Sequence, residues 1–141
     1  MKKILVATDG SDNSERALLE AKKYAEYSTA DLTILSIIKP LGYTTLGYQA
    51  ISIDETNQTL EEIGESLLKE SLALFENFKG KVNAKLRRGS PADEILNEAE
   101  EGDYDLIIMG SRGLGAFSRT ILGSVSNKVL NHTRRNVLII K

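Results

Sequence analysis

The hydrophobic and polar positions along the chain follow two alternating periods, and this pattern predicts the order of its secondary-structure elements. Continuous apolar runs, which are typical of strands buried on both faces, cover residues 4–8, 32–38, 106–109 and 137–140. Residues 82–86 alternate apolar and polar side chains instead, which indicates an edge strand with one face in water. The sequence therefore predicts five strands, of which the third lies at the rim of a sheet.

Four segments between these strands carry apolar residues at helical spacing, with charged residues on the opposite face. They are residues 11–28, 60–78, 90–102 and 124–131. Neither period holds between Lys39 and Asn57. We therefore predict a long loop over residues 39–57, which is either a lid or binding loop or a disordered segment.

Strands that alternate with helices in this way indicate right-handed βαβ units around a parallel sheet. The predicted fold class is doubly wound α/β, a Rossmann-like five-stranded parallel sheet with helices on both faces, in one domain over residues 1–141. In such sheets a ligand binds beyond the carboxyl ends of the strands, where the strand order reverses. The turns after the first and fourth strands are the predicted place for a site.

Composition and charge narrow the partners and the chemistry that this domain could serve. With 18 Lys and Arg against 20 Asp and Glu, the net charge of −2 gives no reason to expect nucleic acid as a partner. No apolar run is long enough to span a membrane, and Asp9 interrupts the stretch that resembles a signal sequence, so we expect a cytoplasmic protein. Without cysteine, and with His132 as the only histidine, we predict no metal site. Lys85, Arg87 and Arg88 form a small basic cluster that we interpret as solvated.

A glycine-bearing segment after the fourth strand carries the clearest indication of chemistry. Gly110 and Gly113 are followed, after nine residues, by Gly123 and Ser124, which open the last helix. Glycines allow positive φ and let backbone amides approach an anion, and a helix N-terminus adds free N–H groups. This favours a phosphate site, but a glycine-rich turn can also serve only to reverse the chain. A Walker loop and a Gly-x-Gly-x-x-Gly fingerprint after the first strand are both absent from the sequence, which disfavours those nucleotide-binding families.

The same residues give the chain a resemblance to the universal stress proteins, in their ATP-binding branch. The family motif is Gly, two residues, Gly, nine residues, Gly, then Ser or Thr, and this sequence matches every position of it. The resemblance covers the whole chain, since residues 3–11 resemble the family's opening strand and turn, and residues 89–91 resemble its third-strand exit. It implies the strand order 3-2-1-4-5 and a nucleotide across the ends of strands one, two and four. The implied ligand is ATP, or AMP or ADP, with or without Mg²⁺ or Mn²⁺.

The resemblance also implies which residues hold the nucleotide. Asp9 corresponds to the acidic residue near ribose and adenine, Ala7 to the position that packs the base, and Ile37 to the position whose backbone meets the adenine edge. The implied set is Ala7, Thr8, Asp9, Ile37, Gly110, Arg112, Gly113, Gly123, Ser124 and Val125. Two alternatives stay open, since Asp9 could cap the first helix and Arg112 could be a solvated loop residue. Residues 134–136 depart from the family pattern, because Arg-Arg-Asn stands where many members have a small residue or Cys and then Pro.

The predicted function is a nucleotide-dependent sensor or switch, in which ATP orders the 39–57 loop and an unidentified protein partner reads that surface. The alternatives are a slow ATPase and a dimeric adaptor that needs no nucleotide. Adenylyl transfer is disfavoured because no Ser-Gly-Gly-x-Asp-Ser loop is present, and a phosphoacceptor domain because the third strand ends in Arg87-Arg88-Gly89 rather than aspartate. Without a Walker lysine or a positioned base, hydrolysis should be slow.

The last strand is the predicted interface of a homodimer. Its residues are uniformly apolar: Val137, Leu138, Ile139 and Ile140. The implied strand order places them at an edge, where an uncovered apolar strand is an aggregation hazard. A second copy related by a two-fold axis would cover the edge.

Overall fold

Nine elements alternate along the chain in the computed structural model, which describes residues 2–42, 47–113 and 122–141, with backbone alone for 47–52. The elements are β1 (Lys3–Thr8), α1 (Asp12–Ser28), β2 (Asp31–Ile38), α2 (Gly47–Ala73), β3 (Val82–Arg88), α3 (Pro91–Glu101), β4 (Leu106–Gly110), α4 (Ser124–His132) and β5 (Asn136–Ile140). The predicted strands and helices are therefore present in the predicted order.

The five strands form one parallel sheet in the order β3-β2-β1-β4-β5. The predicted doubly wound α/β class, the strand order and the position of β3 at an edge are confirmed. Because Thr8 of β1 pairs with Ser36 of β2, and Val6 with Ile108 of β4, the carboxyl ends of the three central strands meet at one edge of the sheet. That edge is where a doubly wound sheet places its ligand.

Helices cover both faces of the sheet, as predicted, and each face has its own core. Alternate residues of β1 serve the two cores, since Ile4 and Val6 join the cluster with α1 and α2 whereas Leu5 joins the cluster with α3 and α4. All three side chains are fully buried. The continuous apolar run in the sequence is thus explained by burial on both sides of a central strand.

The predicted loop over residues 39–57 is wrong in its second half, because α2 begins at Gly47. A helix shows an apolar stripe only where it packs, and the exposed residues 54–56 offer none. The segment is instead tied by the side chain of Asn57, whose Oδ1 accepts from Leu41 N at 2.7 Å and whose Nδ2 donates to Leu41 O at 3.1 Å. The part of the loop at residues 43–46 lies outside the described residues.

Gly64 lets α2 approach the sheet closely. A Cβ at this position would lie 2.8 Å from Leu86 Cδ1 and 2.9 Å from Ile38 Cγ2, so any side chain would push the helix away from β2 and β3. The glycine therefore has a packing reason that outweighs its cost in helix propensity. In the described part of the chain, α2 included, no helix is both long and apolar enough to cross a membrane.

The interpretation of the basic cluster on β3 as solvated is wrong for Arg87. Its Nε donates to Glu94 Oε2 at 2.7 Å, and its Nη1 donates to Glu98 Oε2 at 2.8 Å and Glu101 Oε2 at 2.9 Å. Glu98 is only 2% exposed and also accepts from Lys85 Nζ at 2.7 Å. The basic residues of β3 that face α3 are thus held by carboxylates of that helix.

The turn before β5, where the sequence departs from the family pattern, is fixed by Arg135. Its Nη2 lies 2.9 Å from Glu100 Oε2, and its Nη1 lies 2.8 Å from Asp103 Oδ1 and 3.2 Å from the backbone oxygen of Tyr104. The guanidinium therefore joins this turn to the turn between α3 and β4.

Candidate functional site

A cavity of about 370 Å³ opens at the carboxyl ends of β1, β2 and β4, beside the N-termini of α3 and α4. All of the residues implied by the resemblance line it: Ala7, Thr8, Asp9, Ile37, Gly110, Arg112, Gly113, Gly123, Ser124 and Val125. The structure thus brings together residues that are up to 118 positions apart in the chain (125 − 7). The volume lies in the range of pockets that hold small molecules.

One end of the cavity is apolar. Ala7 and Ile37 come from the ends of β1 and β2, and the same end includes residues that the sequence interpretation missed: Leu35, Pro91, Ile95 and Met109. Leu35 and Ile37 are two positions apart on one strand and therefore point to the same face. That spacing could have identified Leu35 once Ile37 was chosen. These side chains form an apolar part of the cavity, called here the apolar slot.

The other end of the cavity is built from residues 110–113, called here the glycine loop, and from the first turn of α4. Gly123 is the N-cap of this helix and its N–H donates to Ser111 O at 2.7 Å. The first helical hydrogen bond runs from Asn127 N to Gly123 O at 2.9 Å. The amides of Ser124 and Val125 precede that bond, so the helix itself gives them no acceptor. Such amides, with the positive end of the helix dipole, favour an anion.

Asp9 lies between the first turn of α1 and the glycine loop. A Cβ on Gly113 would clash with Asp9 Oδ2, so the loop backbone lies directly against this carboxylate. Asp9 Oδ1 accepts from Ser11 N at 2.9 Å, whereas α1 is capped by Ser11, whose Oγ accepts from Ser14 N at 3.2 Å. The alternative that Asp9 caps the first helix is therefore wrong.

Two buried hydroxyls hold the turn between β1 and α1 in place. Thr8 Oγ1 and Ser14 Oγ are 3.1 Å apart, and Ser14 Oγ donates to Ser11 O at 2.9 Å. The sequence interpretation missed Ser14 as a cavity residue. Its position three residues after the helix cap, on the side that faces β1, was the available signal.

The motif glycines are explained by close packing rather than by positive φ. Among the described glycines, positive φ values belong to Gly10 and Gly89, at +85° and +145°. The motif glycines Gly110, Gly113 and Gly123 therefore do not use the left-handed backbone that glycine allows. A Cβ on Gly110 would lie 2.9 Å from Asn13 Cβ and 3.0 Å from Asn13 C, so this glycine serves the close approach of two backbone segments.

The only histidine lies away from the cavity, in the last turn of α4. His132 Nδ1 lies 2.8 Å from Lys128 O, and a basic side chain at this end suits the helix dipole. Within residues 2–42, 47–113 and 122–141, no group of three or more His, Asp or Glu side chains is placed to hold a metal ion.

The chain is similar to known proteins over its whole length. The model of the Universal stress protein family matches residues 1–141. Universal stress protein YxiE of Bacillus subtilis (strain 168) is 38% identical over 146 residues, which cover 99% of this chain and 98% of the relative.

Solved structures share the architecture. Universal stress protein UspA from Lactobacillus plantarum superposes with a TM-score of 0.90 at 24% identity, over 99% of this chain and 97% of that one, which supports the fold alone. A universal stress protein solved in complex with cAMP superposes with a TM-score of 0.75 at 26% identity, over 99% of this chain and 97% of that one.

Proposed function

Because this chain belongs to the universal stress protein family, we propose that its cavity binds an adenine nucleotide, ATP in the first place, and that the protein acts as a nucleotide-dependent sensor or switch. The observation that carries the proposal is the junction of an apolar slot with a helix N-terminus and a closely packed glycine loop in one cavity. The related structure in complex with cAMP supports an adenine nucleotide as the class of ligand.

Each part of the nucleotide has a matching part of the cavity. The apolar slot beside Ala7 and Ile37 suits the base, which is flat and has little charge. Asp9 can accept hydrogen bonds from the two ribose hydroxyls, because a carboxylate has two acceptor oxygens. The amides at the start of α4, with Ser124 and the guanidinium of Arg112, suit the phosphates.

Hydrolysis of the nucleotide would be slow under this proposal. Phosphoryl transfer needs a metal ion, a group that positions the attacking water and cations that meet the developing charge. A Mg²⁺ or Mn²⁺ ion would be held chiefly by phosphate oxygens, since the described residues offer no cluster of three acidic or histidine ligands. A slow ATPase, and an adaptor that works without nucleotide, are the competing functions.

We also propose that two copies of the chain pair through β5 and that the dimer is cytoplasmic. Ile140 O accepts from Ser111 N at 2.7 Å, so the main chain of Ile140 faces the sheet interior. Since successive residues of a strand point their main-chain groups to opposite sides, the N–H and C=O of Ile139 face the free edge. The side chains of the strand are half-buried, which leaves apolar surface for a partner strand.

The nucleotide proposal is tested by calorimetry with ATP, AMP and cAMP, after mass spectrometry of any ligand that co-purifies. Gly113→Val would place a branched side chain against the Asp9 carboxylate, and we expect it to weaken ATP binding at least about tenfold. The matched control is Asn83→Val, which adds the same side chain on the exposed rim of β3 and should leave binding unchanged.

The circular dichroism spectra of both variants should stay native. Wild-type protein that binds none of the three nucleotides would overturn the proposal. Equal affinity of Gly113→Val and wild type for ATP would show that the phosphates lie elsewhere.

A further inference from the structure

The start of the glycine loop is packed against the first turn of α1 more tightly than any side chain would allow. Gly110 meets Asn13 so closely that a Cβ would lie 2.9 to 3.1 Å from the Cβ, C and O atoms of that residue. None of these three atoms can be moved away by a rotamer change, because the backbone also fixes the position of Cβ. The first motif glycine therefore joins α1 to the loop, and the residue on the α1 side is Asn13.

Asn13 reaches from α1 to the residue after this contact. Its side chain is 7% exposed, and Nδ2 donates to Ser111 Oγ at 3.2 Å. Oδ1 of the same amide accepts from Arg16 Nη2. Because a guanidinium can only donate, it fixes which end of the amide faces Arg16 and leaves the NH₂ group for Ser111.

Ser111 in turn holds the first turn of α4. Its carbonyl accepts from Gly123 N at 2.7 Å and from Ser126 Oγ at 2.8 Å, and its N–H donates to Ile140 O at 2.7 Å. The residue is 6% exposed. A rotation of the Ser111 peptide would move the amides that begin α4, and it would move Gly113, which is two residues along the chain.

We propose that Asn13 is a positioning residue for the phosphate end of the cavity, which it aligns by holding Ser111 through a side-chain hydrogen bond. The inference rests on the proposed nucleotide function and adds to it a residue that does not line the cavity. Asn13 acts on the phosphates through Ser111 and the start of α4, and it does not act on the base or ribose.

The test compares AMP with adenosine, which shares the base and ribose but lacks the phosphate. In Asn13→Ala we expect the Kd of AMP, measured by calorimetry, to rise about tenfold, since a buried donor to the loop is lost. The Kd of adenosine should change less than about twofold. A side chain that served only the stability of α1 would weaken both ligands equally or neither.

A double-mutant cycle shows whether Asn13 acts through Ser111. Ser111→Ala should raise the AMP Kd as much as Asn13→Ala does, and the double variant should add nothing further. The matched control is Asn131→Ala, which removes an exposed asparagine bonded within α4 and should leave both constants unchanged. If Asn13→Ala does not fold, Ser111→Ala alone supplies the comparison of AMP with adenosine.

Three results would overturn the inference. An unchanged ratio of the two constants in Asn13→Ala, or in Ser111→Ala where the first variant does not fold, would refute it while leaving nucleotide binding intact. Additive effects in the cycle would show that Asn13 does not act through Ser111. Wild-type protein that binds neither AMP nor ATP would overturn the proposed function and this inference with it.

Discussion

The two edges of the sheet are built from opposite chemistry. The outer strand β3 carries cations on the face toward α3, and Glu98 of that helix holds two of them, Lys85 and Arg87. The outer strand β5 is apolar from Val137 to Ile140 and half-buried on both faces. Two strands that occupy equivalent topological positions therefore present a charged edge and an apolar edge.

The difference shows how a sheet can resist pairing with a second chain at one edge and permit it at the other. Charged residues on an edge strand oppose pairing with another chain, because pairing would remove the charges from water. At β3 these charges already have partners within the chain, so this edge needs no second strand to cover it. At β5 a second apolar strand would gain burial and ladder hydrogen bonds, which is why the proposed dimer uses that edge.

The largest expected effect comes from giving β5 the charge that β3 carries. Ile139→Lys would put an ammonium group at the proposed two-fold interface, where its copy on the other chain would repel it. We expect self-association to weaken about 100-fold, or ~2.7 kcal/mol. Light scattering and sedimentation at micromolar concentration measure the change.

The matched control for this variant is Asn83→Lys, which adds the same charge on the exposed rim of β3. Its self-association should equal that of wild type. A wild-type protein that is monomeric at these concentrations, or an Ile139→Lys variant that assembles normally, would contradict the assignment of β5 as the interface.

The second prediction concerns Glu98, the carboxylate that holds the cations of β3. Glu98 accepts from Lys85, from Arg87 and from Tyr104 OH, which lies 3.1 Å away. Glu98→Gln keeps the shape but leaves two cations without their shared charge, and we expect the free energy of unfolding to fall by ~2 kcal/mol. The figure is below that of a fully buried pair, because Lys85 is half-exposed.

Urea unfolding of wild type and Glu98→Gln measures this difference, with Glu101→Gln as the control. Glu101 also bonds to Arg87, but its side chain is largely exposed, so water screens the pair and the loss should be much smaller. Equal losses in the two variants would show that burial of Glu98 adds nothing to the stability of this edge.

The third prediction concerns the pH dependence of the same edge. Burial raises the pKa of Glu98, but the hydrogen bonds from Lys85 and Arg87 outweigh it and hold the pKa below its usual value of 4.5. A carboxyl group with a lowered folded-state pKa contributes stability above its unfolded pKa and loses it as the pH falls through the folded pKa. The stability difference between wild type and Glu98→Gln should therefore be constant from pH 7 to about 5 and shrink below 4.5.

Urea titrations at a series of pH values test this expectation. The direction is diagnostic, since a raised pKa of Glu98 would instead make wild type gain stability relative to Glu98→Gln as the pH falls, beginning above 4.5. A difference that grows on acidification would contradict the assignment of a lowered pKa to Glu98.

The elements that the sequence predicted well are those whose burial is uniform. A strand such as β1 is buried on both faces, so its apolar run is visible without any knowledge of its neighbours. The start of α2 could not be found in this way, because its described residues 54–56 are exposed and offer no apolar stripe. The side chain of Asn57 ties it to the backbone of Leu41 by two hydrogen bonds, which depend on the tertiary structure.

For the candidate site too, some features could be predicted from the sequence and others could not. The implied residues converge on one cavity, and whether they hold a nucleotide stays a prediction. The hydrogen bond from Asn13 to Ser111 could not be predicted, because an amide side chain has many local partners in any helix start. The reason for Gly110 was equally hidden, since it lies in the approach of α1 and not in the local backbone.

The smallest expected effect comes from the one described ion pair that links β3 to α2. Arg88 forms a salt bridge with Glu61, and both side chains are well exposed. Exposed ion pairs add little to the free energy of unfolding, because water screens the charges and two long side chains lose rotamer freedom. In about 0.15 M salt we expect Glu61→Gln to unfold at the same urea concentration as wild type, and only low ionic strength should reveal a difference. A loss as large as that of Glu98→Gln would mean that β3 depends equally on its exposed and buried pairs, and that the charged edge is held from both faces rather than by α3.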